Sequence, residues 1–416
     1  MNPFQPNTLA SLAQTHGTPL WVYDAATIEH QIGALRQFDV IRFAQKANSN
    51  THILRQMRHL GVMVDAVSLG EIERALVAGY RPGVHNGHAE IVFTADLLDR
   101  ATLPRVASLG IPVNCGSIDM LDQLGAVSPG HPVWLRINPG FGHGHSNKTN
   151  TGGEHSKHGI WHTDLPLACA RLRANGLTLV GLHMHIGSGV DYSHLEQVCG
   201  AMVALVTTVH EQGMDLVAVS TGGGLSVPYQ ADEPTVDTRH YFQLWDAARR
   251  QIADLLGHPV KLEIEPGRYL VADSGVLLTE VRATKQMGSN AFVMVDAGFN
   301  DLMRPSMYGS FHGMALIHAD GTVVDGPLQA TVVGGPLCES GDVFTQGEGG
   351  VVLTRALPLA RVGDLLVLHD TGAYGASMSS NYLTRPLIAE VLVENGVPRL
   401  IRRHQSVTEL LALELV

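Results

Sequence analysis

Val260-Lys261-Leu262-Glu263-Ile264-Glu265-Pro266-Gly267-Arg268 reads as an apolar strand that stops in an acid, a turn and a cation. Far upstream, Val40-Ile41-Arg42-Phe43-Ala44 is a second apolar strand, and it runs into Lys46. Between them, a third apolar run ends in Gly222-Gly223-Gly224. Three strands that each end in chemistry-bearing residues invite a count of the rest.

Eight apolar strands alternate with helical patterns up to Arg268. They are Val40–Gln45, Val62–Val67, Ile91–Thr94, Ile111–Asn114, Val133–Asn138, Leu179–Ile186, Leu216–Thr221 and Val260–Glu265. Helical stretches such as Gly70–Ala78, Ser193–Glu211 and Asp237–Leu256 lie between them. Continuous apolar strands alternating with helices imply parallel strands covered by helices. Eight such units predict an α/β fold, a closed (β/α)8 barrel, with an open doubly wound sheet as the alternative. Placement favours the barrel. Lys46 follows the first strand, His185 and Ser188 close the sixth, the glycines follow the seventh, and Glu265 to Arg268 close the eighth. These are C-terminal strand ends, where barrel enzymes keep their chemistry and often hold phosphate after strands seven and eight.

Beyond Arg268 the texture changes. Short strands such as Val276–Val281, Ala291–Asp296, Thr331–Gly334, Leu365–Asp370 and Ile388–Val393 are separated by Gly, Asp and Asn turns. They predict an all-β domain, sandwich or barrel, which the early strand Pro19-Leu20-Trp21-Val22-Tyr23 joins. The expected organisation is an N-terminal segment 1–30 contributing to the β domain, a barrel over 31–270 and a C-terminal β domain over 271–416. The tail Thr408-Glu409-Leu410-Leu411-Ala412-Leu413 reads as a packing helix. Residues 139–159, with Gly140-Phe141-Gly142-His143-Gly144-His145 in them, read as a long lid or binding loop.

A chain of 416 residues, 45% hydrophobic and 16% charged, suits a globular protein of two to three domains. Its net charge of −11 argues against nucleic acid or an anionic membrane as partner. The N-terminus shows no signal peptide and no apolar stretch reaches spanning length. Cys115, Cys169, Cys199 and Cys338 form no C-x-x-C pair, so neither a zinc site nor a disulfide framework is suggested, and a reducing cytoplasm is the simplest home. The loop histidines lack a carboxylate at recognisable ligand spacing, so no metal is expected.

A lysine, an acid, and glycines beside an arginine form the set that a pyridoxal 5'-phosphate enzyme needs. Lys46 forms the Schiff base, Glu265 holds the pyridinium nitrogen, and Gly223, Gly224, Gly267 and Arg268 surround the phosphate. A carboxylate beside the pyridine nitrogen favours its protonated form. A protonated ring is a strong electron sink, so Glu265 leans toward decarboxylation and away from racemisation. His183 and His185 lie two apart on a strand and face one side. His185 reads as a plate against the cofactor ring and Ser188 as a phosphate donor, while one of the two histidines can be a hydrogen-bonded core residue. Cys338, in the glycine-rich Gly334-Gly335-Pro336-Leu337-Cys338-Glu339-Ser340-Gly341-Asp342, suits an exposed functional position.

With these residues quoted, the chain resembles the diaminopimelate decarboxylases, the proteobacterial branch in particular, over nearly its whole length. The likeness is strongest over 42–48, 68–75, 136–159, 183–200, 222–230, 263–267, 296–309, 335–346 and 369–385. One departure is visible: the group's usual Ser-Lys-Phe-Gly appears as Ser156-Lys157-His158-Gly159. The resemblance implies decarboxylation of meso-2,6-diaminopimelate to L-lysine, the last step of bacterial lysine biosynthesis. It implies that Lys46 carries the cofactor, and that Gly224 and the Glu265–Arg268 segment bind it. It also implies that Arg268, Arg304 and Tyr308 hold the distal carboxylate of the substrate. Cys338 would be the proton donor, Glu339 would hold the distal ammonium, and Tyr374 would touch cofactor and substrate. It implies a homodimer with shared sites, Cys338 and Glu339 coming from the partner. An ornithine or arginine decarboxylase on the same fold is the nearest alternative, but its substrate has no distal carboxylate for Arg304 and Tyr308.

Overall fold

A computed structural model describes residues 3–142, 151–185, 187 and 191–415. The chain divides into two units. One comprises Gln31–Ser226 and Val236–Tyr269, and the other the N-terminal stretch to His30, Val227–Thr235 and the chain from Leu270 onward.

The first unit is the closed barrel. Its strands are Val40–Ala44, Met63–Ala66, Ile91–Ala95, Val113–Cys115, Pro132–Asn138, Thr178–His183, Ala218–Ser220 and Lys261–Ile264, each paired in parallel with the next. The eighth returns to the first, with Glu263 opposite Val40 and Ile264 opposite Ile41. A doubly wound sheet would leave those two edges open. Arg42 reinforces this short seam. Its Nη2 lies 2.9 Å from Glu263 Oε2, and its Nη1 donates to the Ala89 carbonyl at 3.1 Å. Both ionic partners are buried, so removing either one would strand a charge at a cost of about 3–5 kcal/mol.

Several covering helices are amphipathic and carry a side-chain cap at the N-terminus. In Thr238–Leu256 the buried Tyr241, Trp245, Ala248 and Ile252 repeat at helical spacing, which turns one stripe inward. Asp237 caps that helix by accepting from the Arg239 and His240 amides. Ser68 caps Leu69–Val77 in the same way, accepting from Glu71 N at 3.2 Å.

The second unit is built on a nine-stranded mixed sheet among the described residues. Leu20–Asp24 lies inside it, antiparallel to Gly275–Met287 and parallel to Ala389–Glu394. Leu20 and Val22 enter a core with Val276, Leu278, Val367 and Val391, on which Leu9 and Leu12 of helix Pro6–His16 also pack. Burying each such side chain is worth about 1.5–3 kcal/mol. The sheet also buries Glu390, whose oxygens are satisfied by Tyr23 Oη at 2.8 Å and Arg402 Nη1 at 3.0 Å.

Three strands of this unit, Met314–Ile317, Arg355–Leu357 and Val397–Arg402, were not anticipated from the sequence. Val397–Arg402 pairs on one side only, is largely exposed and carries Pro398, so its sequence lacks the apolar signature of an inner strand. The tail corrects another expectation. Helix Val407–Leu411 buries none of its residues against its own chain, and Leu413 and Leu415 are exposed. The turn is held by its own capping box between Ser406 and Glu409, and by Arg403 at 2.6 Å from Glu409. Among the described residues no helix is long and apolar enough to cross a membrane.

Candidate active site

Parallel strands end on one rim. Lys46 sits in the 3-10 turn Gln45–Ala47 directly after the first strand. The eighth strand's exit lies beside it: Ala44 N donates to the Pro266 carbonyl at 3.1 Å. A Cβ on Gly267 would stand 3.3 Å from both Ala44 and Ala47, so this turn packs against the lysine's own turn. Arg268 follows, half-buried, at the start of the helical turn Arg268–Val271.

Glu265 is buried and held from two sides. His183 Nε2 lies 2.7 Å from its Oε2, and Ser220 Oγ donates to Oε1 at 3.0 Å. Burial alone would raise its pKa. The nearby His183, Arg42 and Ser220 outweigh that and hold the carboxyl down at about 2. A carboxylate that stays ionised at the end of a barrel strand suits a cationic ring nitrogen. His183 is therefore the core histidine of the pair, and its partner is Glu265.

His185 lies beyond the end of the sixth strand. Its Nδ1 is buried and has no hydrogen-bond partner among the described residues. Burial first, then the Arg136 and Lys46 charges, push its pKa well below the ordinary histidine value. The ring is neutral at physiological pH and offers a face. It borders the glycine loop, where a Cβ on Gly223 would lie 3.7 Å from its Cε1. Gly222 and Gly224 have φ of 63° and 113°, in the region that favours glycine. A side chain there would collide with the Met184 carbonyl at 2.3 Å or the Gly187 carbonyl at 2.6 Å. Ser188 lies outside the described residues.

Asp65, on the second strand, was not singled out from the sequence. It is buried with Oδ1 unpartnered among the described residues. Burial first, then the Glu265 charge, push its carboxyl up to about 8, against the opposing pull of Lys46 and Thr94. The native protein therefore binds a proton there that the unfolded chain has already released above about pH 4. Stability falls as pH rises through that window toward about 8. In urea titrations of the cofactor-free protein, the midpoint should drop more between pH 5.5 and 8.5 than it does for Asp65→Asn. Equal drops in the two proteins would refute the buried proton.

The C-terminal part of the 139–159 loop is anchored at the end of the third barrel strand. His158 Nδ1 lies 2.5 Å from Asp96 Oδ2, and Gly159 N donates to Oδ1 at 3.0 Å. The His158 departure thus brings its own acidic partner. His143 and His145 lie outside the described residues.

The remaining candidates lie in the β unit. Arg304, buried, and Tyr308, half-buried, belong to the short helix Arg304–Tyr308. Cys338 and Glu339 are exposed, on a loop that Asp342 shapes by accepting from the Leu337 and Phe299 amides, each at 2.7 Å. Ser306 Oγ donates to the Gly341 carbonyl at 2.8 Å, which ties the arginine helix to the cysteine loop. Tyr374 has φ of 57°, uncommon for a bulky residue and the sort of strain that collects at functional sites. Cys338 is exposed, while Cys115, Cys169 and Cys199 are buried.

The barrel rim fits pyridoxal phosphate on three counts. It offers an amine, a carboxylate held ionised, and a loop where main chain replaces side chains, as close approach to a phosphate requires. Comparison with known proteins agrees. Residues 25–272 match the family described as pyridoxal-dependent decarboxylase, pyridoxal binding domain. The chain is 69% identical to diaminopimelate decarboxylase of Escherichia coli (strain K12), over 98% of this chain and 96% of that protein. A crystal structure of diaminopimelate decarboxylase superposes with a TM-score of 0.95 at 69% identity, covering 98% of this chain and 96% of that one. The Helicobacter pylori diaminopimelate decarboxylase complexed with L-lysine gives a TM-score of 0.85 at 31% identity, covering 97% and 98% of the two chains.

Proposed function

This chain belongs to the diaminopimelate decarboxylases among the pyridoxal-dependent decarboxylases, and from that membership we propose how its residues divide the work. The protein uses pyridoxal phosphate to convert meso-2,6-diaminopimelate to L-lysine and carbon dioxide, the final step of lysine biosynthesis. The observation that carries the reading in this chain is Glu265, buried yet held ionised by His183 and Ser220.

When bound, the cofactor supplies the electron sink that lets a carboxylate leave as carbon dioxide. Lys46 anchors it through the side-chain amine. Glu265 sets a fixed negative charge for the ring nitrogen, and His183 and Ser220 keep that carboxylate oriented. His185 covers the ring face. Ser188, Gly223, Gly224, Gly267 and Arg268 receive the phosphate. Arg268, Arg304 and Tyr308 take the substrate's distal carboxylate, Glu339 its distal ammonium, and Tyr374 borders both ligands. Cys338 holds, at Sγ, the proton delivered where carbon dioxide leaves.

Residues 31–269, apart from 227–235, act as the cofactor-binding barrel, and the chain from 270 onward as the β domain, to which 1–30 and 227–235 contribute. The protein works as a homodimer. An acid open to solvent on a single chain, as Cys338 is, suits a site that a second copy completes. Unpaired cysteines agree with a cytoplasmic setting.

Carbon dioxide release from meso-diaminopimelate should far exceed that from ornithine, arginine or lysine. Sites that pair a buried polar group reject analogues lacking it by about 10⁴–10⁵-fold. Comparable release from ornithine would favour the diamine-forming alternative. Arg304→Met should weaken use of diaminopimelate by roughly 2–5 kcal/mol, as broken buried charge pairs do, with cofactor binding intact. Near-normal turnover by that variant would remove Arg304 from the distal-carboxylate role.

A further inference from the structure

Arg304 is buried among groups that fix one edge of its guanidinium. Nη1 donates to Tyr229 Oη at 3.0 Å and to His312 Nε2 at 3.1 Å. The guanidinium carbon also stands 4.8 Å from the Tyr229 ring centroid, and the His312 ring meets that tyrosine edge-on at 5.5 Å. A guanidinium has donors only, so His312 Nε2 must present its lone pair. The ring proton is then on Nδ1, which donates to the His369 carbonyl at 2.9 Å. Main chain at His369 thus fixes the imidazole, and the imidazole fixes the arginine.

We propose that Tyr229 and His312 are positioning residues that orient Arg304 for the substrate's distal carboxylate, with His312 held as the neutral Nδ1–H tautomer. This rests on the reading of Arg304 given above. A bidentate arginine–carboxylate pair demands a particular plane and direction of the guanidinium. An arginine free to rotate would lose that freedom on each binding event. Tyr229 and His312 settle the orientation beforehand, and they do so with uncharged acceptors, so neither cancels the positive charge offered to the ligand. The two residues act on recognition of the distal end. The barrel's cofactor residues are not their targets.

The test uses the holoenzyme and two inhibitors. L-Lysine retains the distal carboxylate, and 1,5-diaminopentane lacks it. Tyr229→Phe removes an acceptor hydroxyl. His312→Leu removes the Nε2 acceptor, and His312→Gln keeps an acceptor near that place. Tyr229→Phe and His312→Leu should raise the KM for meso-diaminopimelate and the inhibition constant of L-lysine by about 10-fold or more, the usual effect of losing one hydrogen bond to a charged group. The inhibition constant of 1,5-diaminopentane, the cofactor's visible absorbance and kcat should stay within about 3-fold. His312→Gln should recover most of the loss.

The proposal falls if the two inhibitors weaken equally, if neither changes, or if kcat drops while KM holds. Should His312→Leu fold poorly, Tyr229→Phe and His312→Gln decide alone. Arg304→Met, measured in parallel, separates the two levels. If it discriminates the inhibitors and the Tyr229 and His312 variants do not, the positioning role is wrong and the distal-carboxylate reading stands. If Arg304→Met does not discriminate them either, that reading fails.

Discussion

Lys46→Ala should lose the borohydride-reducible attachment of cofactor to chain and should slow carbon dioxide release by about 10⁴-fold or more, the scale on which removal of a covalent catalyst acts. Only a primary amine forms that link. Lys46 is the lysine that ends a barrel strand at the rim holding Glu265 and the glycine loop. Lys261 stands at the opposite end of its strand, and Lys285 lies in the β unit. Reduction of the wild-type holoenzyme followed by peptide mapping should put the added mass on the peptide containing Lys46. The variant should show none, although it can still hold the cofactor through the phosphate cradle and Glu265. A reduced adduct on any other lysine would end this assignment.

The second large effect is a recovery. Lys46→Ala and Cys338→Ala homodimers should each be nearly inactive. If each site pairs Lys46 of one chain with Cys338 of the other, a hybrid dimer holds one intact site and one lacking both residues. Random exchange makes about half the dimers hybrid, so the mixture should regain roughly a quarter of wild-type activity. Differential tags can confirm that hybrids formed. Verified hybrids no more active than their parents would mean that Cys338 serves its own chain or is not the proton donor.

The barrel was legible in the sequence because its strands are buried on both faces and so appear as apolar runs with polar punctuation at one end. Glu265 could be placed at a strand end, but its holders could not be read. Ser220 and His183 sit on the two preceding strands, and a serine in an apolar run does not announce which carboxylate it faces. Asp65 left a signal that was passed over, a single acid inside Met63–Ala66, whose neighbours are apolar. Tyr229 lies 75 residues before Arg304, and only folding brings it beside Arg304 and the nearby His312. The tail misled for a different reason. Leu410, Leu411 and Leu413 carry a pattern that asks for a core, and their own chain supplies none.

The place of Leu20–Asp24 in the β sheet sets a schedule for synthesis. Tyr23 and its partner Glu390 are 367 residues apart. At roughly 5–20 residues per second, the ribosome needs about twenty seconds to over a minute to deliver the second after the first. Until Gly275–Met287 is made, Leu20-Trp21-Val22-Tyr23 is an apolar strand with both edges unpaired, and one edge stays open until Ala389–Glu394 follows, the form most prone to wrong associations. The barrel segments are complete long before and can fold while it waits. The nascent chain should therefore depend on chaperone protection at its own beginning, and a circular permutant that moves this strand behind Arg402 should be freed of that dependence.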